Sequence, residues 1–261
     1  MSRFNSFVAV GDSFTEGLND QLPDGSFRGW ADRLAEILAA GRPDFRYANT
    51  ALRGKLMAEI IDEQIPLALE FRPDLVTICA GGNDLVVPGV DLDALADKLE
   101  EGVAQLRAAG IEVLIFTGPD TKRMSVMNRL RGKVGYYNAL LWSIANRHGT
   151  RVVDLWSMHV LHDPRAWSDD RLHFTPEGHR RIALRTAEVL EVTTEADWRE
   201  PWPEADPTTW LGLRRSDLEW TRTHLLPWIG RHLRGESMGD GLRPKRPELT
   251  PLRSDQGANV R

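Results

Sequence analysis

The chain has 261 residues, of which 41% are hydrophobic and 27% charged, with a formal net charge of -5 and one cysteine. That length supports one sizeable core plus an appendage, at roughly 100–200 residues per domain, and the acidic balance argues against a general nucleic-acid binder, which carries a basic face. A lone cysteine excludes a disulfide framework within the chain, no apolar stretch approaches the roughly 20 residues that span a bilayer, and the N-terminal residues hold no apolar run followed by a small-residue cleavage site. The expectation is a soluble, cytoplasmic protein with no membrane or nucleic-acid partner.

Phe7–Val10 is a short apolar run ending at Gly11, the pattern of a buried strand. Two readings compete for the next residues. Ser13-Phe14-Thr15-Glu16 fits the S-x-x-E capping box of a helix start. Alternatively, a serine at the carboxyl end of a strand sits where open α/β sheets bind their ligands. Trp30, Leu34, Ile37 and Leu38 form a helical stripe within 30–40, and Phe45–Ala48 is a second short strand. Leu56–Phe71 is the next helix, with Pro66 predicted to kink it. Leu75–Ala80, which contains Cys79 as a small core residue, is a strand of the fully buried type.

Leu92–Ala109 is helical and stops at Gly110, Ile111–Phe116 is another strand, and Val134–His148 is a helix closed by Gly149. Val152–Leu155 is the fifth strand. Thr175-Pro176-Glu177 combines an N-cap, proline at the first helical position and an acidic first turn, opening a helix to about Leu190. Five strands alternating with helices predict an α/β fold: a three-layer α/β/α sandwich on a five-stranded parallel sheet, flavodoxin-like in type. This unit spans 1–195. The remainder, 196–261, is a C-terminal extension. It comprises an acidic Pro- and Trp-rich linker or wrapping loop, a helix opening at Ser216-Asp217-Leu218-Glu219 with Pro227 as a kink, and a loose tail from Gly235.

Four blocks carry the chemistry: Gly11-Asp12-Ser13, then Asn49-Thr50-Ala51-Leu52-Arg53-Gly54, then Gly81-Gly82-Asn83-Asp84, and finally Asp170-Arg171-Leu172-His173. Each lies at the carboxyl end of a strand or between that end and the next helix, so all four gather on one edge of the sheet. In order and spacing the set resembles the SGNH hydrolases, the group that contains the GDSL esterases and lipases. The resemblance covers about residues 5–192, and departs at Phe14, where the name-giving motif has Leu. It implies a serine ester hydrolase that forms an acyl-enzyme on Ser13 and needs no metal or cofactor. His173 is the implied base. Asp170, at D-x-x-H spacing, orients it, and the adjacent Asp169 is the runner-up.

For the oxyanion hole the resemblance assigns the Ser13 and Gly54 backbone N–H groups and the Asn83 side-chain amide. Glycine suits a close backbone approach, and a neutral amide donates without adding charge. The implied substrates are small soluble O-acyl esters, of unspecified acyl length and alcohol or sugar part. An acyltransferase using the same residues is the alternative, and a binding module lacking chemistry is disfavoured because all four blocks are complete. An α/β-hydrolase elbow is disfavoured because G-x-S-x-G lacks its second glycine here. His159 and His162 form H-x-x-H without the H-E-x-x-H pattern, so no metal site is expected. His179 is read as a packing or capping residue. Lys122, Arg123 and Met124 are read as a solvated loop that can overhang the pocket. The tryptophans at 198, 202, 210, 220 and 228 are read as packing against the sheet domain. Oligomeric state is open.

Overall fold

The computed structural model describes residues 4–124, 127–204, 239 and 241–252. In chain order the strands are β1 (Ser6–Gly11), β2 (Arg46–Asn49), β3 (Leu75–Cys79), β4 (Glu112–Phe116), β5 (Arg151–Val153) and β6 (Arg246–Pro251). They form one sheet in the order β5-β4-β3-β1-β2-β6. The first five are parallel, as expected, and β6 pairs antiparallel to β2. The principal helices are α1 (Ser13–Glu16), α2 (Gly29–Ala39), α3 (Met57–Glu59), α4 (Ile65–Phe71), α5 (Gly82–Leu85), α6 (Leu92–Ala108), α7 (Arg131–His148) and α8 (Pro176–Val189).

Strand alternation builds two cores. Phe7, Ala9, Leu75, Leu114 and Phe116 point to one face, where Trp30 and Leu34 of α2 and Ile182 of α8 cover them. Val8, Val10, Val76, Ile78, Val113 and Ile115 point to the other, beneath Ile61, Leu99, Val103 and Leu141. Burying a side chain of this size contributes roughly 1.5–3 kcal/mol, so both faces hold their helices firmly. The chain runs from β1 to β2 on one side and then crosses to β3 on the other. That reversal is the switch point at which doubly wound sheets bind ligands.

Two expectations need correction. The helix predicted over 56–71 is interrupted rather than simply kinked: α3 passes into a π-helical turn, Ile60–Gln64, before α4. Pro66 lacks an N–H and its ring crowds the preceding turn, so the widened turn accommodates it. Secondly, the loose tail expected from Gly235 contains β6. Pro247 and Pro251 make this segment unlike a strand in sequence, but proline is tolerated at a sheet edge. Lys245 secures the strand's start by donating to the Phe27 and Arg28 carbonyls and to Asp32. The segment from 196 onward begins as a wrapping loop, where Arg181 of α8 donates to the Trp198 carbonyl and lies 4.4 Å from the Trp202 ring. The helix expected at Ser216, together with Trp210, Trp220 and Trp228, lies outside the described residues.

Candidate active site

Ser13 is the first residue of α1, at the carboxyl end of the central strand β1. The capping-box reading of Ser13 does not hold. The cap is Asp12, whose carboxylate accepts from the Phe14 N–H at 3.0 Å, and Glu16 is turned toward Arg53 instead. The Ser13 hydroxyl is therefore free of capping duty. It lies 2.8 Å from His173 Nε2, and His173 Nδ1 lies 2.7 Å from Asp170 Oδ2. Ser13 and His173 are both buried.

The Asp170 carboxylate also accepts from the Leu172 and His173 N–H groups and from the Asn19 amide at 2.8 Å. Burial raises its pKa, but the His173 ring and these backbone donors outweigh burial and hold the carboxyl well below its usual range. Asp170 is thus ionised at neutral pH, which places the proton on His173 Nδ1 and leaves Nε2 to accept from the Ser13 hydroxyl. Asp169, the alternative orienter, is exposed.

Gly54 lies in the turn after β2 with φ of +79°, a conformation that favours glycine. Its neighbours are tied in opposite directions. The Arg53 N–H donates to Glu16 of α1 at 2.8 Å, and the Lys55 carbonyl accepts from the Asn83 amide at 3.0 Å. Asp84 in turn accepts from the Met57 N–H. Ser13, Gly54 and Asn83 are therefore linked through one hydrogen-bonded chain running from α1 through this turn to α5.

Residues 9–181 match the sequence profile of the GDSL-like lipase/acylhydrolase family. The chain belongs to that family. Among similar proteins, the isoamyl acetate-hydrolyzing esterase 1 homolog of Rattus norvegicus is 26% identical over 214 residues, covering 69% of this chain and 85% of that protein. GDSL esterase/lipase CPRD49 of Arabidopsis thaliana is 24% identical over 199 residues, covering 65% and 73%. The fold is shared with Axe2, an acetylxylan esterase from Geobacillus stearothermophilus, at a TM-score of 0.60 and 19% identity, covering 74% of this chain and 95% of that one. As a member of this family the chain is an ester hydrolase.

Within this acylhydrolase, Phe14 takes the place of the family's leucine and has an evident packing role. Its ring lies 5.7 Å from Trp30, 5.4 Å from Phe174 and 6.0 Å from His179. His179 accepts from the Trp30 N–H and donates to the Leu18 carbonyl; burial lowers its pKa to about 4, so it is a neutral packing residue. The His159 and His162 rings stack 5.3 Å apart, with His162 Nε2 3.6 Å from Asp120. Lys122 and Arg123 are exposed, whereas Met124 reaches a cavity beside the site.

Two residues of the site are not singled out by the sequence, Asn19, which braces Asp170, and Gln64, while Glu16, read there as a capping-box acid, instead braces the Gly54 turn. Gln64 is buried in the π-helical turn and grips the residue at the end of β1. Its Oε1 accepts from the Gly11 N–H at 2.8 Å and its Nε2 donates to the Gly11 carbonyl at 3.0 Å. Gly11 itself admits no side chain, since a Cβ there would lie 2.5 Å from the Cys79 carbonyl oxygen. Gln64→Leu leaves the Gly11 N–H without this partner, at about 1–3 kcal/mol for a buried unsatisfied group, while the Gly11 carbonyl keeps the Leu52 N–H at 3.3 Å. The expected result is a lower urea midpoint with an unchanged m-value, measured by circular dichroism. An unchanged midpoint would show that Gly11 finds other partners.

Asp12 is the second unusual carboxyl. Burial is the main cause that raises it to about 6; the Phe14 N–H and the His173 ring pull it down, while Asp84 pushes it up. The unfolded chain releases this proton near pH 3.8. Between about pH 4 and 6 the folded state holds the extra proton, so this group's stabilising contribution is complete below 4 and lost as pH rises through 6. The loss is about 3 kcal/mol. Asp12→Asn keeps the cap and removes the titration. Its stability relative to the native protein is expected to rise from pH 4 to 6 and stay level above, as read by urea unfolding. A pH-independent difference would contradict the buried, protonated carboxyl.

Proposed function

We propose that this acylhydrolase cleaves carboxylic esters through an acyl-enzyme on Ser13. The observation that carries the reading is the unbroken line from Ser13 Oγ to His173 Nε2 and from His173 Nδ1 to Asp170, at 2.8 and 2.7 Å. Ser13 Oγ attacks the ester carbonyl while His173 Nε2 takes its proton. The carbonyl oxygen becomes an oxyanion held by the Ser13 and Gly54 N–H groups and the Asn83 amide. His173 returns the proton to the departing alkoxide, the alcohol leaves, and a water activated by the same ring releases the acid and restores Ser13. Asp170 stays ionised throughout and stabilises the imidazolium. Every group this cycle needs is a side chain or backbone N–H of the chain itself, so no metal or cofactor is invoked. The hydrogen bonds that tie the Gly54 turn to α1 and α5 support the reading, because they hold this loop in place before charge develops.

The experiment is partition of the intermediate. Several esters sharing one acyl group but differing in alcohol are hydrolysed in water containing methanol. A common acyl-enzyme gives the same ratio of methyl ester to free acid from every leaving group. A ratio that changes with the leaving group would show that no shared intermediate forms. The same ratio separates a hydrolase from an acyltransferase.

A further inference from the structure

Beside the Ser13–His173 pair lies a cavity of about 160 Å³. Its lining includes the residues flanking the site: Asp12 and Phe14 around Ser13, Gly82 before Asn83, and Leu172 before His173. The lining is mostly apolar and includes Phe116 at the end of β4 and Val134 of α7, both buried. A space of roughly 150 Å³ is enough for a benzene-sized, six-carbon guest. Cavities of this kind bind by burying carbon, with few polar groups to fix orientation.

We propose that this cavity receives the acyl chain of the substrate and sets its length at about six carbons. The proposal rests on the ester-hydrolase reading above and deepens it. The acyl group stays attached to Ser13 through both half-reactions, whereas the alcohol must depart to solvent midway. A cavity lined mostly by apolar side chains suits the part that stays. An acetyl group leaves most of the volume empty, and a chain of twelve carbons exceeds it. This separates the chain from an acetyl-specific esterase without any change in its reacting groups.

The test is a series of p-nitrophenyl esters, from acetate through butyrate, hexanoate and octanoate to dodecanoate, run beside a series of alkyl acetates that varies only the alcohol. Each methylene taken from water into the cavity is worth up to about fourfold in kcat/KM. Hexanoate is expected to exceed acetate by about tenfold or more, with decline at dodecanoate. Val134→Phe fills part of the cavity and is expected to lower the hexanoate-to-acetate ratio about tenfold. Should that protein not fold, Met124→Trp fills the cavity from the loop at its edge. An acetate optimum in the native protein, or a ratio indifferent to filling, would overturn the proposal. Chain-length preference in the alkyl acetates alone would assign the cavity to the alcohol and overturn it too. Failure to hydrolyse any ester in either series would instead overturn the ester-hydrolase reading on which the proposal rests.

Discussion

Ser13→Ala is expected to lower kcat by about 10⁴- to 10⁶-fold, the usual loss when the nucleophile of a serine–histidine–aspartate set is removed. The protein should remain folded. The cap of α1 is the Asp12 carboxylate, so the substitution removes no helix-capping bond and forfeits only the hydroxyl's bond to His173. The stability cost is about 1 kcal/mol or less. Parallel urea unfolding and ester turnover separate the two effects. Near-normal turnover by a folded Ser13→Ala protein would remove Ser13 from the chemistry. Loss of folding with loss of activity would mean that Ser13 serves the turn instead.

Asn83→Ala is expected to lower kcat by about 10²–10³, the cost of one oxyanion donor. KM should change far less, because the donor acts on charge that develops only in the transition state. The side chain also bonds the Lys55 carbonyl, so the change loosens the turn carrying Gly54. Asn83→Asp distinguishes donor from spacer. It keeps the shape but sets a negative charge against the oxyanion and close to Asp12, whose Oδ2 is 3.4 Å from the Asn83 amide. A kcat at least as low as that of Asn83→Ala is expected. A large KM rise at constant kcat in either variant would make Asn83 a substrate-binding residue.

The alternation of apolar strands and amphipathic helices was legible because each strand is buried on both faces and reads as a continuous apolar run. Val8 and Val10 serve one core while Phe7 and Ala9 serve the other. The four polar blocks were legible because they sit at strand ends, where the topology gathers them. The bracing residues were not. Asn19 and Gln64 bond to partners remote in sequence, and no local pattern distinguishes such a side chain from an ordinary polar one; Glu16 carries a local capping pattern that points away from its remote partner, Arg53. Gln64 depends further on the π-helical turn, which arises from the clash of Pro66 with the turn before it. β6 was missed because its place on the sheet edge rests on backbone pairing with β2 and on the Lys245 anchor, not on apolar periodicity. The cavity draws its walls from segments far apart in the chain and exists only once they are packed.

The central claim is that Ser13 is the atom-level site of acyl attachment. The most direct measurement is reaction with an alkyl fluorophosphonate, followed by proteolysis and mass spectrometry of the labelled peptide. The expected result is one adduct per chain, on Ser13, forming in step with loss of ester hydrolysis and absent from Ser13→Ala. An adduct on another residue, or full ester hydrolysis by a protein whose Ser13 is quantitatively labelled, would contradict it.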